Sequence, residues 1–412
     1  MYQRFVSLAL VALLIGSAAG SAAAASPAGT NQQASASAYA GAHVSFDVAE
    51  NAVTDYAVEN ATVFQSVAVQ SQSKAASGGV LSGSLSSAVR IDAAGLALGS
   101  TTRTSATVRA DSGATIRAHD NGHGILTVSS GSESQVVVAN LSNDASASAE
   151  DDGQVAVTAG DGTEGTFLVV GDGTVSVNEQ GNVTATLDEN ATLVFRSYPD
   201  GKSESDDHQE RLIANGTAAG EAYVMTQGGE SVTDSVNYTS DFTVTATQSA
   251  ENEVTVTADH AESRGKVVIT SVTERAVGTL SDVRVAVDGN AAAKATTYGE
   301  LTDAIGSDRS RYMVRETSSA SASASADVLI AFNHFSERQA TLSGGNESTD
   351  STTASDSTTS TTASDSTAST TASDSTTAGD GSETTQTNSP GFGVLAALVA
   401  FAGVALARRR RA

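Results

Sequence analysis

Two imidazoles four residues apart form the densest chemistry in the chain, in His119-Asp120-Asn121-Gly122-His123. On a helix that spacing would place both rings on one face beside Asp120 and could bind zinc. Gly122 and Gly124 instead predict a turn. Such a turn is expected to be solvated, so no metal site is assigned there. If the protein were a hydrolase, His119, Asp120 and His123 would be its candidate residues.

Asp151-Asp152-Gly153 and Asp206-Asp207 could collect calcium or magnesium, yet no EF-hand spacing accompanies them. With 47 Asp and Glu residues, adjacent carboxylates are the background of this chain and single out no acid/base pair. No Gly-x-Ser-x-Gly elbow, His-Glu-x-x-His motif or phosphate-binding loop occurs. Tryptophan is absent and aromatics make up 4% of residues, whereas binding clefts favour aromatic faces. That weighs against a polysaccharide enzyme. The expectation is no catalytic residue, no metal and no cofactor.

The elements that must carry these residues read as β. Valine and threonine alternate in short runs at Val136-Val137-Val138, Gln154 to Val157, Phe167 to Val170, Thr174 to Val177, Asn182 to Leu187 and Ala191 to Phe195. Asp152-Gly153, Asp161-Gly162, Asp172-Gly173, Gln180-Gly181 and Asp200-Gly201 separate them, and Asp-Gly favours hairpins, hence antiparallel pairing. Asp207 to Ala214 and Tyr298 to Ile305 predict the short helices. Val44 to Val69 reads two ways: Val44, Phe46 and Val48 alternate like a strand, while Val53, Tyr56 and Ala57 fit a helical turn. After residue 240, further strands are expected at Phe242 to Thr247, Glu253 to Thr257, Lys266 to Val272, Val283 to Val287, Tyr312 to Val314 and Val328 to Phe332. The expected fold is mainly β. An antiparallel β-sandwich or solenoid-like body spans 26–240, and a small β-module spans 241–343.

The formal charge of −25 opposes compaction at ordinary ionic strength. In molar salt the Debye length falls to about 3 Å and most of that repulsion is screened. Only Lys74, Lys202, Lys266 and Lys294 are lysines, against 18 arginines. A dense carboxylate surface poor in lysine suits brine and argues against nucleic acid as a partner. Cysteine is absent, which removes disulfides and thiolate metal sites.

Both ends read as targeting segments. Arg4, the apolar run Phe5 to Ile15 and the small residues Ser21 to Ala25 form a secretion signal, with the cut placed near Ala25. At the other end a Ser/Thr/Asp segment repeats Thr352 to Ser360 at Thr361 to Ser369 and again at Thr370 to Ala378. Residues 344–389 cannot bury enough surface to order themselves and predict a disordered stalk, extending to at most roughly 150 Å. Pro390-Gly391-Phe392 then precede the uncharged run Gly393 to Ala407 and four arginines, Arg408, Arg409, Arg410 and Arg411. Fifteen residues make about 22 Å of helix, short for a hydrocarbon core of roughly 30 Å. The arginines would hold their end on the cytoplasmic side. The tail therefore reads as a short hydrophobic helix that is recognised and cut, or else as an uncleaved single-span anchor.

Tripeptide, apolar run and basic end together resemble the PGF-type C-terminal sorting signal (PGF-CTERM) of haloarchaeal surface proteins. The resemblance implies an archaeosortase-like processing enzyme as a partner, removal of the tail and attachment of a membrane lipid near the cut. The strands after residue 240, closing on His334-Phe335-Ser336, resemble a small β-module found beside the membrane anchor in archaeal surface proteins. That second resemblance implies architecture and no activity.

Asn60, Asn140, Asn182, Asn190, Asn215, Asn237 and Asn346 each begin an Asn-x-Ser/Thr sequon, expected to be used in part. The expected function is a non-enzymatic glycoprotein on the extracellular face of the membrane, contributing to the cell envelope. Its expected partners are the membrane, the processing enzyme and other envelope glycoproteins. The alternatives are an adhesin or ligand-binding surface protein and, third, an extracellular hydrolase.

Overall fold

A computed structural model describes residues 37–49, 51–78, 95–150, 153–227, 229–317 and 325–345. The leader through Ala25, Asp151-Asp152, Asn346, the Ser/Thr-rich segment and Pro390 to Arg411 lie outside the described residues. The described chain is mainly β, with 26 strands and four short helices. No helix among the described residues is long and apolar enough to cross a membrane.

Four sheets result. The first runs in the order β1 (Ser37–Ala40), β2 (Val44–Val48), β3 (Val53–Val58), β4 (Ala61–Ser71), β9 (Gln135–Leu141), β14 (Val183–Leu187) and β13 (Gly173–Val177). The second runs β10 (Ser146–Ala149), β11 (Val155–Thr158), β12 (Glu164–Val170), β15 (Thr192–Tyr198), β8 (Leu126–Ser129), β7 (Thr115–His119), β6 (Ser105–Ala110) and β5 (Leu96–Thr101). The third holds β17 (Glu230–Asn237), β16 (Ala218–Gln227), β20 (Val267–Thr273), β25 (Ser325–Ala331), β24 (Arg311–Thr317) and β23 (Ala293–Lys294). The fourth holds β18 (Phe242–Ala250), β19 (Glu253–His260), β26 (Arg338–Gly345), β21 (Thr279–Val287) and β22 (Asn290–Ala291). The helices are α1 (Gln72–Ser77), α2 (Glu204–Ala214), α3 (Glu274–Val277) and α4 (Tyr298–Thr302).

The first and second sheets share one apolar core. Through it runs a chain of rings from Tyr39 to Phe46, Tyr56 and Phe64, with successive centroids 5.5, 6.0 and 5.4 Å apart, and on to Phe167 and Phe195. β2 buries Val44, Phe46 and Val48 and exposes Ser45 and Asp47, the alternation of a strand with one face in water. The ambiguity of Val44 to Val69 resolves to three strands, β2, β3 and β4, joined by turns, with no helix among the described residues. Opposite β2, β3 carries one extra residue between Thr54 and Ala57, and this bulge breaks the period of two, which is why Val53, Tyr56 and Ala57 imitate helical spacing.

The third and fourth sheets enclose a second core, with Phe242, Phe332 and Phe335 among its rings. A third apolar cluster joins the two sheet pairs. It takes Leu168 and Val194 from the second sheet, Tyr223, Ile269 and Leu329 from the third, and Leu212, Ile213 and Leu301 from α2 and α4.

Three sequence expectations need correction. The boundary near residue 240, separating 26–240 from 241–343, cuts a sheet: β16 and β17 precede it yet share the third sheet with β20 and β25. The change of sheet pair falls instead at α2. Pairing is antiparallel apart from β16–β20 and β23–β24, which are parallel. Between β16 and β20 the chain crosses to the fourth sheet and back, so the two strands enter the third sheet in the same direction. Finally, Asp172-Gly173 closes no hairpin, because β12 and β13 belong to different sheets, and Asp200-Gly201 leads into α2. The other three Gly turns do join antiparallel neighbours, with Gly153, Gly162 and Gly181 at φ of 77°, 93° and 79°.

Candidate functional site

β15 is buried along its whole length because both its faces are covered. Leu193 and Phe195 enter the first core, while Val194 enters the seam between the sheet pairs. Arg196, two residues on, shares Val194's face and is fully buried. Across the seam it meets Glu221 of β16 in an ion pair, and the Glu221 carboxylate also accepts from the hydroxyls of Tyr223 and Tyr238. Burial alone would lower the Arg196 pKa, but Glu221 together with Tyr198, Tyr238 and Tyr223 outweighs it and holds the guanidinium charged. Burial lifts the Tyr223 and Tyr238 hydroxyls well above their ordinary value, so both remain donors.

α2 lies in the same seam. Ser203 caps it: its hydroxyl accepts from the Asp206 amide, and the Asp206 carboxylate accepts from the Ser203 amide at 2.8 Å. This box starts the helix three residues before the Asp207 expected from the sequence. Lys202 bridges Asp207 and Glu210 at 2.8 and 2.7 Å, and the Tyr198 hydroxyl donates to Glu210 at 2.5 Å.

The first three residues of the expected solvated turn at His119 to His123 are buried at this seam instead: His119 is 1% exposed and Asp120 and Asn121 are fully enclosed, while Gly122 is exposed and His123 half-buried. The physical reason is the second sheet pair, invisible in local sequence, which packs over the turn. His119 Nδ1 lies 3.0 and 3.1 Å from the two carboxylate oxygens of Asp234 on β17, and Asn121 donates to the same carboxylate. Asp120 accepts three backbone N–H bonds from Ala42, His43 and Val44 at 2.7, 2.7 and 2.8 Å, clasping the turn between β1 and β2. A Cβ on Gly41 would stand 2.3 Å from that carboxylate, so the close approach requires glycine. His123 Nδ1 lies 3.0 Å from the Ser197 carbonyl, and its ring packs near Tyr198 and Tyr223. The two histidines therefore serve separate neighbourhoods, and the three hydrolase candidates do not converge. Among the described residues no hydroxyl engages the buried Nε2 of His119, as a nucleophile would.

The structure does bring His123 to other partners. A ring nitrogen of His123 and one oxygen each of Asp206 and Asp327 all lie within 4.8 Å of one another. Asp206 comes from the Asp206-Asp207 pair noted in the sequence, and Asp327 projects from β25 of the third sheet. Arg196, Glu221, Asp234 and Asp327 were not singled out by sequence. Their available signal was a charge set inside an apolar strand run, as in Leu193-Val194-Phe195-Arg196 and Ala326-Asp327-Val328.

The sequons divide by environment. Asn60, Asn190 and Asn215 are exposed at turns or helix ends. Asn140 donates to Ser66 at 2.8 Å within β9, while Asn182 and Asn237 accept from the amides of Leu141 and Val244. An open groove beside β17 and β18, lined by Ser231, Thr233, Thr247, Gln248, Ala250 and Glu251, contains neither an imidazole nor an aromatic ring. No protein-family model matches the sequence, and comparison with curated proteins gives no match.

Proposed function

We propose that the chain is a non-enzymatic glycoprotein held on the outer face of the cell membrane, where two mainly antiparallel β-sandwiches form its envelope-facing body. The observation that carries the reading is how the candidate chemical groups are used. Asp120 is committed to three backbone amides and His119 to Asp234, both on bonds that join chain segments. In this reading the leader is removed near Ala25, and the Ser/Thr-rich segment that follows β26 acts as a spacer. Pro390 to Arg411 direct an archaeosortase-like enzyme to replace the short apolar tail with lipid. Asn60, Asn190 and Asn215 are the preferred glycan acceptors, because their side chains stand in exposed turns or at a helix end. Asn140 is disfavoured, since a glycan would take the amide that donates to Ser66.

Mass spectrometry of the protein extracted from its native membrane tests the reading. The expected mature chain ends near Pro390 with a lipid mass and carries hexose-bearing peptides at Asn60, Asn190 or Asn215. Recovery of peptides spanning Gly393 to Ala407 would overturn the sorting step. A hydrolytic activity abolished by His119→Ala or His123→Ala would overturn the non-enzymatic assignment.

A further inference from the structure

We propose that His123, Asp206 and Asp327 bind one divalent first-row cation, Mn²⁺ or Zn²⁺, which fastens the first sheet pair to the second. The three residues sit on three separate elements. His123 lies on the turn between β7 and β8, Asp206 in the first turn of α2, and Asp327 on β25. Their ligand atoms lie within 4.8 Å of one another, close enough for a cation to draw all three into coordination.

The surroundings hold each ligand in a binding form. The Ser197 carbonyl can only accept, so His123 Nδ1 carries the proton and Nε2 presents its lone pair. A backbone carbonyl on the second ring nitrogen is the usual orienting partner of a metal-bound imidazole. The Ser203 amide and hydroxyl fix one oxygen of Asp206 at 2.8 and 2.7 Å. Gln209 and Ser271 fix the two oxygens of Asp327 at 2.8 and 2.5 Å.

Charge balance points the same way. Asp206 is 8% exposed and Asp327 is 2% exposed. The neighbouring cations are already taken, Arg196 by Glu221 and Lys202 by Asp207 and Glu210. Neither Asp206 nor Asp327 has an ion-pair partner among the described residues. Buried carboxylates without a counter-charge are costly, and a divalent ion between them removes that cost. One imidazole with two carboxylates is a mixed nitrogen and oxygen set, which suits Zn²⁺ or Mn²⁺, with water completing the shell. His123 is only half-buried, which leaves the ion a path from solvent.

The test uses the full chain, stripped with a chelator and titrated calorimetrically with MnCl₂ or ZnCl₂ in about 1 M KCl, where the acidic surface is screened. One ion per chain is expected, with affinity reduced at least tenfold in His123→Gln and Asp327→Asn and unchanged in Asp207→Asn. The chain has no tryptophan, so tyrosine emission reports on the site, and Tyr198 lies with its ring 5.4 Å from that of His123. Mn²⁺ should quench that emission in the wild type and much less in His123→Gln. If the variants fail to fold, electron spin echo spectroscopy of Mn²⁺ on the wild type decides, because an imidazole ligand gives nitrogen coupling. Absence of binding, equal affinity in the variants or bound Mn²⁺ without nitrogen coupling would each overturn the site.

Discussion

Along β15, Leu193 and Phe195 enter an apolar core, whereas Val194 enters a seam it shares with Arg196 on the same face. On one side of the strand the contacts are ring against ring, with Phe167 and Phe195 centroids 5.0 Å apart. On the other side a fully buried guanidinium donates to Glu221 and Gln209, and Glu221 also accepts from two tyrosine hydroxyls. An apolar core is non-directional, so what it loses on truncation scales with the volume removed. The seam is directional: each buried charge depends on one particular partner from the other sheet pair. The core accounts for cohesion within a sheet pair. The seam accounts for which faces of the two pairs meet.

The sharpest way to break this contrast is a pair of mutant cycles. Arg196→Met strands a buried carboxylate and should cost about 3–5 kcal/mol. Adding Glu221→Leu removes the stranded charge and should restore much of that loss. In the core, Phe195→Ala should also cost about 3–5 kcal/mol, but adding Phe167→Ala should deepen the loss. Urea unfolding in molar salt measures both cycles. A seam double variant less stable than either single one would show that the two regions obey the same rule.

The same contrast explains what was legible in the sequence. β2 and β18 have one wet face, so Val44, Phe46, Val48 and Phe242, Val244, Ala246 announce their strands by alternation. β15 and β25 are covered on both faces and read as apolar runs in which period two is lost. A charge within such a run, Arg196 or Asp327, signals a seam without naming its partner. The partners come from far along the chain: His119 meets Asp234 across 115 residues, and Asp120 meets Val44 across 76. Spacing could nominate His119 and His123 together, yet only the fold shows that they point to different neighbours. The boundary expected near residue 240 misled for a related reason, since β16 finds β20 only after the excursion through β18 and β19.

A smaller effect is expected where the turn between β1 and β2 is clasped. Asp120→Ala releases three amides from a charged acceptor and should cost about 3 kcal/mol, less than three separate bonds because the turn partly reaches water. Gly41→Ala drives a methyl into the same carboxylate and should cost about 1–3 kcal/mol. If the clasp is one unit, the double variant should lose little more than Asp120→Ala alone. Hydrogen exchange at Ala42 to Val44 reads the same event locally, and unchanged protection in Asp120→Ala would remove the clasp from the account.

The smallest effect is the alkaline response of the seam. Burial would lower the Lys202 pKa, but hydrogen bonds to Asp207 and Glu210 outweigh it and raise the folded value above 10.5. Burial raises Tyr198, Tyr223 and Tyr238 above their ordinary 10.0. For every one of these groups the folded state holds its proton to higher pH than the unfolded chain does. Their stabilisation is therefore complete below pH 10 and is lost as pH rises through the folded values. Lys202 is partly in water and bridges one half-exposed carboxylate, so its share should be under about 1 kcal/mol. The tyrosines should carry the larger part of the loss. Urea midpoints followed upward from neutral pH should fall beyond pH 10, with a slightly shallower slope in Lys202→Met and a clearly shallower one in Tyr238→Phe. The apolar core contains Tyr56 as well, which burial also raises, so Tyr56→Phe gives the matched comparison from the dry side of the sheet. Equal flattening by Tyr56→Phe and Tyr238→Phe would mean that burial alone sets the alkaline limb, whereas a steeper dependence on Tyr238 would assign the excess to its bond with Glu221.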